Sequence, residues 1–305
     1  MIIRRALVSA SAGLVLSALT SAAMASSSPD GDEDICVVDD TERKLCLAAP
    51  AERIVALSPS VTEMLFAAGA GERVVGVVSF SDYPEAARSL PQVGSYDRLD
   101  LESLLALDPD LVVAWAGGNP GQQVERLDEL GLPVFRSDAA NFEQIATTLE
   151  RFGRLAGSAD TGDTAARELR ESVAALGERY VDAAPVEVFY QVWEQPLMTV
   201  NGEHWISRAL SLCGGVNLFA NEAPLVPRLS REAVLAADPE VIITGGMGKA
   251  DSTWLDAWRQ WPQMTAVVRD NLYFINPDLV QRATPRLVEG TRALCQHLDA
   301  ARERR

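Results

Sequence analysis

Two stretches of this chain repeat each other in register. Residues 99–115 read LDLESLLALDPDLVVAW and residues 229–245 read LSREAVLAADPEVIITG, so the copies begin 130 residues apart. Leu99 matches Leu229, Glu102 matches Glu232, Leu105 matches Leu235, Ala106 matches Ala236, and Asp108-Pro109 matches Asp238-Pro239. Each copy predicts the same unit: a short helix capped by Asp100 or Ser230, an Asp-Pro break, and a buried strand over 111–114 or 241–244. Self-similarity at a fixed offset constrains a fold more tightly than any single motif. It calls for two related α/β lobes.

Between the copies lies one long helical pattern over 160–183. Leu169, Val173, Leu176 and Tyr180 recur at helical spacing and make one apolar stripe. Asp160, Thr161 and Asp163 supply capping oxygens and early negative charge, and Pro185 marks where the helix has ended. At 1.5 Å per residue such a helix runs about 34 Å, roughly the width of a domain. It reads as a connector, with its stripe packed on both lobes.

The chain of 305 residues suits two domains of average size, preceded by a segment of another kind. Arg4 and Arg5 precede an apolar run over 6–19, and Ala23-Met24-Ala25 is an A-x-A cleavage signal. Residues 1–25 therefore read as a secretory signal peptide cut after Ala25. No cysteine stands directly after that site, which argues against a lipid anchor, and no later run approaches a membrane span. Loss of Arg4 and Arg5 takes the formal charge from −16 to −18. That acidity excludes nucleic acid, which needs a basic surface, and disfavours an anionic membrane.

All four cysteines fall in the exported part, where disulfides persist. Three pairings exist. Cys36 and Cys46 flank VVDDTERKL, two short strands around a polar turn, so a local clip is the natural pair and Cys213 is left for Cys295. Free thiols and a metal site are the alternatives, although no C-x-x-C spacing is present. The expected organisation is a disordered leader and clipped hairpin over 26–49, an N-terminal lobe over 50–158, the linker helix over 159–184, and a C-terminal lobe over 185–305.

Catalysis finds little support. The two histidines, His204 and His297, match no Ser or Cys motif, and Gly245-Gly246-Met247-Gly248 lacks the spacing of a phosphate cradle. No catalytic residue, metal ligand set or cofactor is expected. What stands out is aromatic residues on loops that follow strands: Phe80, Tyr83, Tyr96, Trp115 and Trp193. Ligands sit at the carboxyl ends of strands in open α/β sheets, so these residues together suit an apolar cleft for a large, flat ligand. Asp278 and Arg282, four apart, read either as a surface ion pair or as a polar clamp at the cleft mouth. Glu102 and Glu232 read either as helix-dipole partners or as two acidic pegs facing a symmetric partner.

The signal peptide, Arg53-Ile54-Val55-Ala56-Leu57-Ser58-Pro59, Thr62-Glu63, the Asp-Pro repeat and Cys213-Gly214-Gly215-Val216-Asn217-Leu218-Phe219 resemble the helical-backbone (class III) periplasmic binding proteins. These serve ABC importers of cobalamin, siderophores and haem. SFSDYP (79–84), AWAGGN (114–119), Ser230-Arg231-Glu232, ITGG (243–246) and DLVQRATPR (278–286) are similar to the cobalamin branch. The resemblance covers roughly residues 50–300.

The resemblance implies an α/β fold of two Rossmann-like lobes with central sheets, joined by one long inter-lobe helix, and a corrinoid, cobalamin, as transported ligand in the cleft. Phe80, Tyr96, Trp115, Met198 and Val226 fall where the branch places ligand-contacting aromatics, and the segment from Asp278 to Arg282 would contact the ligand from the second lobe. Phe80 stands where a tyrosine is expected, Tyr96 and Val226 where tryptophans are, and Met198 where a phenylalanine is. Glu102 and Glu232 match the acidic pair presented to the two permease subunits of a two-fold ABC transporter. Cys213 and Cys295 match a disulfide of the branch, whereas Cys36–Cys46 has no counterpart there. A periplasmic monomer without enzymatic activity is expected, reaching the membrane only through the transporter. The alternatives are the same fold binding haem or a ferric siderophore, with Tyr96 as an iron ligand, and a secreted enzyme or adhesion module.

Overall fold

The computed structural model describes residues 34–246 and 253–305. The signal segment over 1–25, the leader over 26–33 and residues 247–249 of the glycine-rich stretch lie outside the described residues. A hairpin comes first. Its strands β1 (Ile35–Val38) and β2 (Lys44–Leu47) pair antiparallel, with Cys36 opposite Cys46 and a disulfide between them, Cα atoms 4.1 Å apart.

In chain order there follow β3 (Ile54–Ala56), α1 (Pro59–Ala67), β4 (Val74–Val77), the two-residue strands β5 (Gly94–Ser95) and β6 (Arg98–Leu99), α2 (Leu101–Ala106), β7 (Leu111–Trp115), α3 (Gly121–Glu129), β8 (Val134–Ser137) and α4 (Phe142–Leu155). Strands β4-β3-β7-β8 form one parallel sheet in that order. Next is the long helix α5 (Ala159–Tyr180), and then β9 (Val186–Gln191), α6 (Trp205–Leu212), β10 (Gly215–Asn217), α7 (Arg231–Ala237), β11 (Val241–Thr244), α8 (Thr253–Asp256), α9 (Thr265–Val268), β12 (Leu272–Phe274), α10 (Pro277–Val280) and α11 (Leu287–Glu303). Strands β10-β9-β11-β12 form the second parallel sheet. This is the α/β, two-sheet architecture expected from the repeat.

Parallel strands are buried on both faces, which is why β7 and β11 are apolar but for Thr244 at the end of β11. Alternate residues divide between two cores. Ile54, Ala56, Leu111, Val113 and Phe135 face one way, while Val55, Leu57, Val112 and Ala114 face α2 and α3. The first of these cores does not stop at the lobe. It continues through Ala166, Leu169, Leu176 and Tyr180 of α5 into Val186, Val188, Tyr190, Val241 and Ile243 of the second sheet.

The expected stripe on the long helix therefore packs on both lobes. α5 lies along α4 and α1 on one side and touches α6 and α11 on the other. At the α4 crossing, a Cβ on Gly162 would stand 2.6 Å from the Leu149 carbonyl oxygen, so only glycine allows the close approach. Tyr180 donates to Asp299 of α11 at 2.7 Å. The start differs from expectation: Ser158, not the Asp-Thr cluster, occupies the N-cap, and its hydroxyl donates to the Ala68 carbonyl at 2.7 Å instead of capping.

Both repeat copies form the expected helix–break–strand unit. Asp100 accepts from the Ser103 amide and Ser230 from the Ala233 amide. Asp108 and Asp238 adopt left-handed φ of 47° and 43° just before their prolines, a conformation that short polar side chains tolerate. The tryptophan-rich segment is helical only over α8, after which Trp258 and Trp261 sit in turns closed before Pro262. The last helix begins at Leu287, after Thr284 turns back to donate its amide to the Arg282 carbonyl at 2.9 Å. Cys213 and Cys295 are joined, both buried, and tie the end of α6 to α11.

Candidate functional site

The carboxyl ends of the first sheet open onto a cavity of about 660 Å³. Trp115 ends β7, and its ring lies over Gly118, where a Cβ would stand 2.1 Å from the ring. Asn119 organises this turn. Its Oδ1 accepts from the Trp115 amide at 2.6 Å, and its Nδ2 donates to the carbonyls of Leu57 at 2.9 Å and Tyr96 at 2.7 Å. One buried amide thus locks two aromatic loops together, and the Tyr96 and Trp115 rings sit 5.8 Å apart, tilted by 53°. Phe80 reaches the cavity from the loop after β4 with a left-handed φ of 66° and stays 74% exposed. An apolar ring is thus held out to solvent by a backbone conformation that residues other than glycine rarely adopt.

The second lobe faces these three rings with Trp205, Asp278, Gln281 and Arg282. The sequence reading missed Trp205. It begins α6, and its indole Nε1 donates to the Val280 carbonyl at 2.7 Å, which fixes the ring. His204 stacks behind it with centroids 3.9 Å apart. Met198 and Val226 do not line the cavity; Met198 bridges to Trp193 and Arg228, and Trp193 packs edge-on against Trp254 at 6.0 Å. Tyr83 also lies elsewhere, under the Arg286 guanidinium at 3.9 Å from the ring centroid.

Asp278 and Arg282 do form the local pair, at 3.3 Å, but that is the lesser part of Arg282's environment. Its Nη1 reaches Glu63 of α1 at 2.7 Å and Asp82 at 3.1 Å, and its Nη2 donates to the Phe80 carbonyl at 3.3 Å. Arg286 joins the same carboxylate, through Nη2 at 2.6 Å and Nε at 2.9 Å. The Glu63 side chain is only 2% exposed. Burial works against the Arg282 charge, but Glu63, Asp278 and Asp82 more than offset it, so its pKa is raised. Three carboxylates therefore surround two arginines where the lobes meet, and Arg282 lines the cavity with its charge already matched.

Burial pushes the His204 pKa down to about 3, and its neutral Nδ1 accepts from the Ile206 amide at 3.2 Å. The unfolded chain takes up this proton near pH 6.5, so unfolding binds protons and stability falls as pH drops from about 6.5 toward 3. At pH 5 the loss is on the order of 2 kcal/mol. A melting-temperature profile between pH 7 and pH 5 should show it, and His204→Gln should remove most of the slope. An unchanged slope in that variant would assign it to other groups, among them His297, whose pKa burial also lowers.

Glu102 and Glu232 are exposed in the first turns of α2 and α7, one in each copy of the repeat. The Glu232 pKa is lowered by its own backbone amide and by the Ser230 hydroxyl. Among the described residues, no cluster of His, Cys, Asp or Glu is placed to hold a metal ion, and no helix is long and apolar enough to cross a membrane.

The profile of the periplasmic binding protein family matches residues 54–279. The chain belongs to that family. Among its relatives, the vitamin B12-binding protein of Vibrio parahaemolyticus is 36% identical over 257 residues, covering 84% of this chain and 92% of that protein. The crystal structure of the periplasmic vitamin B12 binding protein BtuF of Vibrio cholerae superposes with a TM-score of 0.77 at 35% identity, over 83% of this chain and 99% of that one. The periplasmic heme-binding protein RhuT from Roseiflexus sp. RS-1 shares the fold, with a TM-score of 0.73 at 24% identity over 82% of this chain and 99% of its own.

Proposed function

We propose that this protein captures cobalamin in the inter-lobe cavity and delivers it to an ABC importer, without catalysing a reaction. The observation that carries this reading is an aromatic cavity whose one cationic wall group among the described residues, Arg282, is already neutralised. A corrin ring offers broad apolar faces and a fringe of uncharged amides. Phe80, Tyr96, Trp115 and Trp205 suit the faces, and Ser58, Ser60 and Gln281 suit the amides. The names of the relatives at 36% and 35% identity point to the same ligand. Haem propionates or an anionic ferric chelate would need free cations, and Arg282 and Arg286 are committed to Glu63. No nucleophile–base pair lines the cavity among the described residues, and His204 is held neutral behind Trp205.

Titration of tryptophan fluorescence with cyanocobalamin tests the ligand. Saturable quenching with micromolar or tighter affinity is expected, lost in Trp115→Ala. Binding no tighter than millimolar, with haem or a siderophore binding tightly, would sink the reading.

In this reading the mature protein is a periplasmic monomer that begins after Ala25 and divides into lobes over 50–158 and 185–305, with residues 159–184 between them. Glu102 and Glu232 then dock it onto the two-fold permease, one from each lobe. The double change to Ala should leave cobalamin affinity intact and abolish stimulation of the transporter's ATPase. Full stimulation by the double variant would leave these glutamates as helix-terminal charges only.

A further inference from the structure

The hairpin over residues 35–47 precedes the start of the family match at Ile54. Its strands bury Val37 and Leu47 in the core shared with α4. Its turn does something more specific. β8 is the edge strand of the first sheet, and an edge presents unpaired backbone groups. The turn pairs with that edge. The Asp40 amide donates to the Arg136 carbonyl at 3.0 Å, the Arg136 amide donates to Asp39 Oδ2 at 3.2 Å, and the Asp138 amide donates to Asp40 Oδ2 at 2.6 Å.

Both aspartates are themselves fixed. Asp39 is 3% exposed and its Oδ1 accepts from the Thr41 amide, the Thr41 hydroxyl and the Arg43 amide at 2.8–2.9 Å. Asp40 Oδ1 pairs with Arg151 Nη2 of α4 at 2.6 Å, and Arg151 Nη1 donates to the Val38 carbonyl at 2.8 Å. The hairpin turn is thus anchored to the body on one side and to residues 136–138 on the other.

Those residues are the rim of the cavity. Ser137 and Ala139 line it, and Ser137 pairs in register with Trp115. Asp138 Oδ1 and Trp115 Nε1 lie on either side of Gly117, close enough for the carboxylate to act on the indole. A Cβ on Gly117 would sit 2.9 Å from Asp138 Oδ1 and 3.1 Å from Trp115 Nε1, so the absence of a side chain there leaves the two groups free to face each other. An unbroken set of contacts runs from the Cys36–Cys46 disulfide through Asp40 and Asp138 to the indole.

We propose that the disulfide-clipped hairpin is a positioning element of the ligand cavity, with Asp40 holding the β8 rim so that Asp138 fixes the orientation of Trp115. The proposal deepens the cobalamin reading, since it takes this cavity as the ligand site. The competing account is that the hairpin only covers the sheet edge and adds stability, which predicts no effect particular to Trp115.

The mature full-length chain labelled with 5-fluorotryptophan separates the two by fluorine NMR without any ligand. It has six tryptophans, and Trp115→Phe identifies the Trp115 resonance by its loss. In Asp40→Ala, and in the double variant Cys36→Ser with Cys46→Ser, the Trp115 resonance should shift or broaden while the other five hold. Arg43→Ala, which removes only an exposed pair with Asp128, should leave it in place. In the same variants the Kd for cyanocobalamin should rise roughly tenfold. Should Asp40→Ala fail to fold, the double cysteine variant carries the test alone. An unmoved Trp115 resonance in the folded variants overturns the proposal, whatever happens to the melting temperature. A moved resonance in a protein that binds no cobalamin upholds the positioning role and overturns the ligand.

Discussion

Glu63→Ala is expected to destabilise the protein by about 3–5 kcal/mol, the cost of leaving a buried charge without its partner. For a chain of this size that lowers the melting temperature by on the order of 10 °C. The carboxylate is 2% exposed and serves two arginines from the other lobe, so its loss strands Arg286 and leaves Arg282 with only the more exposed Asp82 and Asp278. Calorimetry or circular-dichroism melts measure the effect. Replacing Glu63, Arg282 and Arg286 together with apolar residues should cost less than Glu63→Ala alone, because the desolvation penalty leaves with the charges. A loss below about 1 kcal/mol in Glu63→Ala would place the cluster with ordinary solvated ion pairs. Ligand affinity should fall as well, since Arg282 lines the cavity in the position Glu63 gives it.

The second large effect is expected at Cys213–Cys295. The bond spans 82 residues, and the loop-entropy account assigns such a closure about 4.5 kcal/mol. Changing both cysteines to Ala should lower the melting temperature by an amount similar to Glu63→Ala. The two losses should add, because the disulfide ties α6 to α11 whereas Glu63 acts between α1 and the start of α11. A melt unchanged by removal of the cysteines would show that α6 and α11 are held by packing alone.

The architecture is legible in the sequence because parallel strands leave continuous apolar runs and because one unit occurs twice. The aromatic loops are legible for a related reason: Trp115 ends a strand and Phe80 and Tyr96 lie just beyond strand ends, where an open sheet places its ligand. Trp205 is not, since it opens a helix rather than a post-strand loop. A signal for it exists in the echo of Ala67-Ala68-Gly69 by Cys213-Gly214-Gly215. Gly69 and Gly214 both close their helices at positive φ, and the starts of both helices, Ser58–Val61 and Trp205, line the cavity.

Glu63 is hidden differently. Its arginines lie 219 and 223 residues away, and no local spacing records such a distance. The visible spacing, Asp278 to Arg282, points instead to the weaker local pair. The trace that does remain is a carboxylate inside the run Val61–Leu65, every residue of which is buried. A charge that deep in an apolar helix face requires a partner from elsewhere.

The placement of the two disulfides bears on how the chain can be oxidised correctly. Four cysteines admit three pairings, and two of those would cross-link the hairpin to α6 or α11. The partners that do join in the first bond are ten residues apart, and Cys213 comes much later in the chain. A polypeptide threaded amino end first into an oxidising compartment presents Cys36 and Cys46 to each other before any competing thiol has arrived. Once they have closed, the remaining two have only each other. Order of emergence then favours the native pairing over the two that cross-link the hairpin to the second lobe.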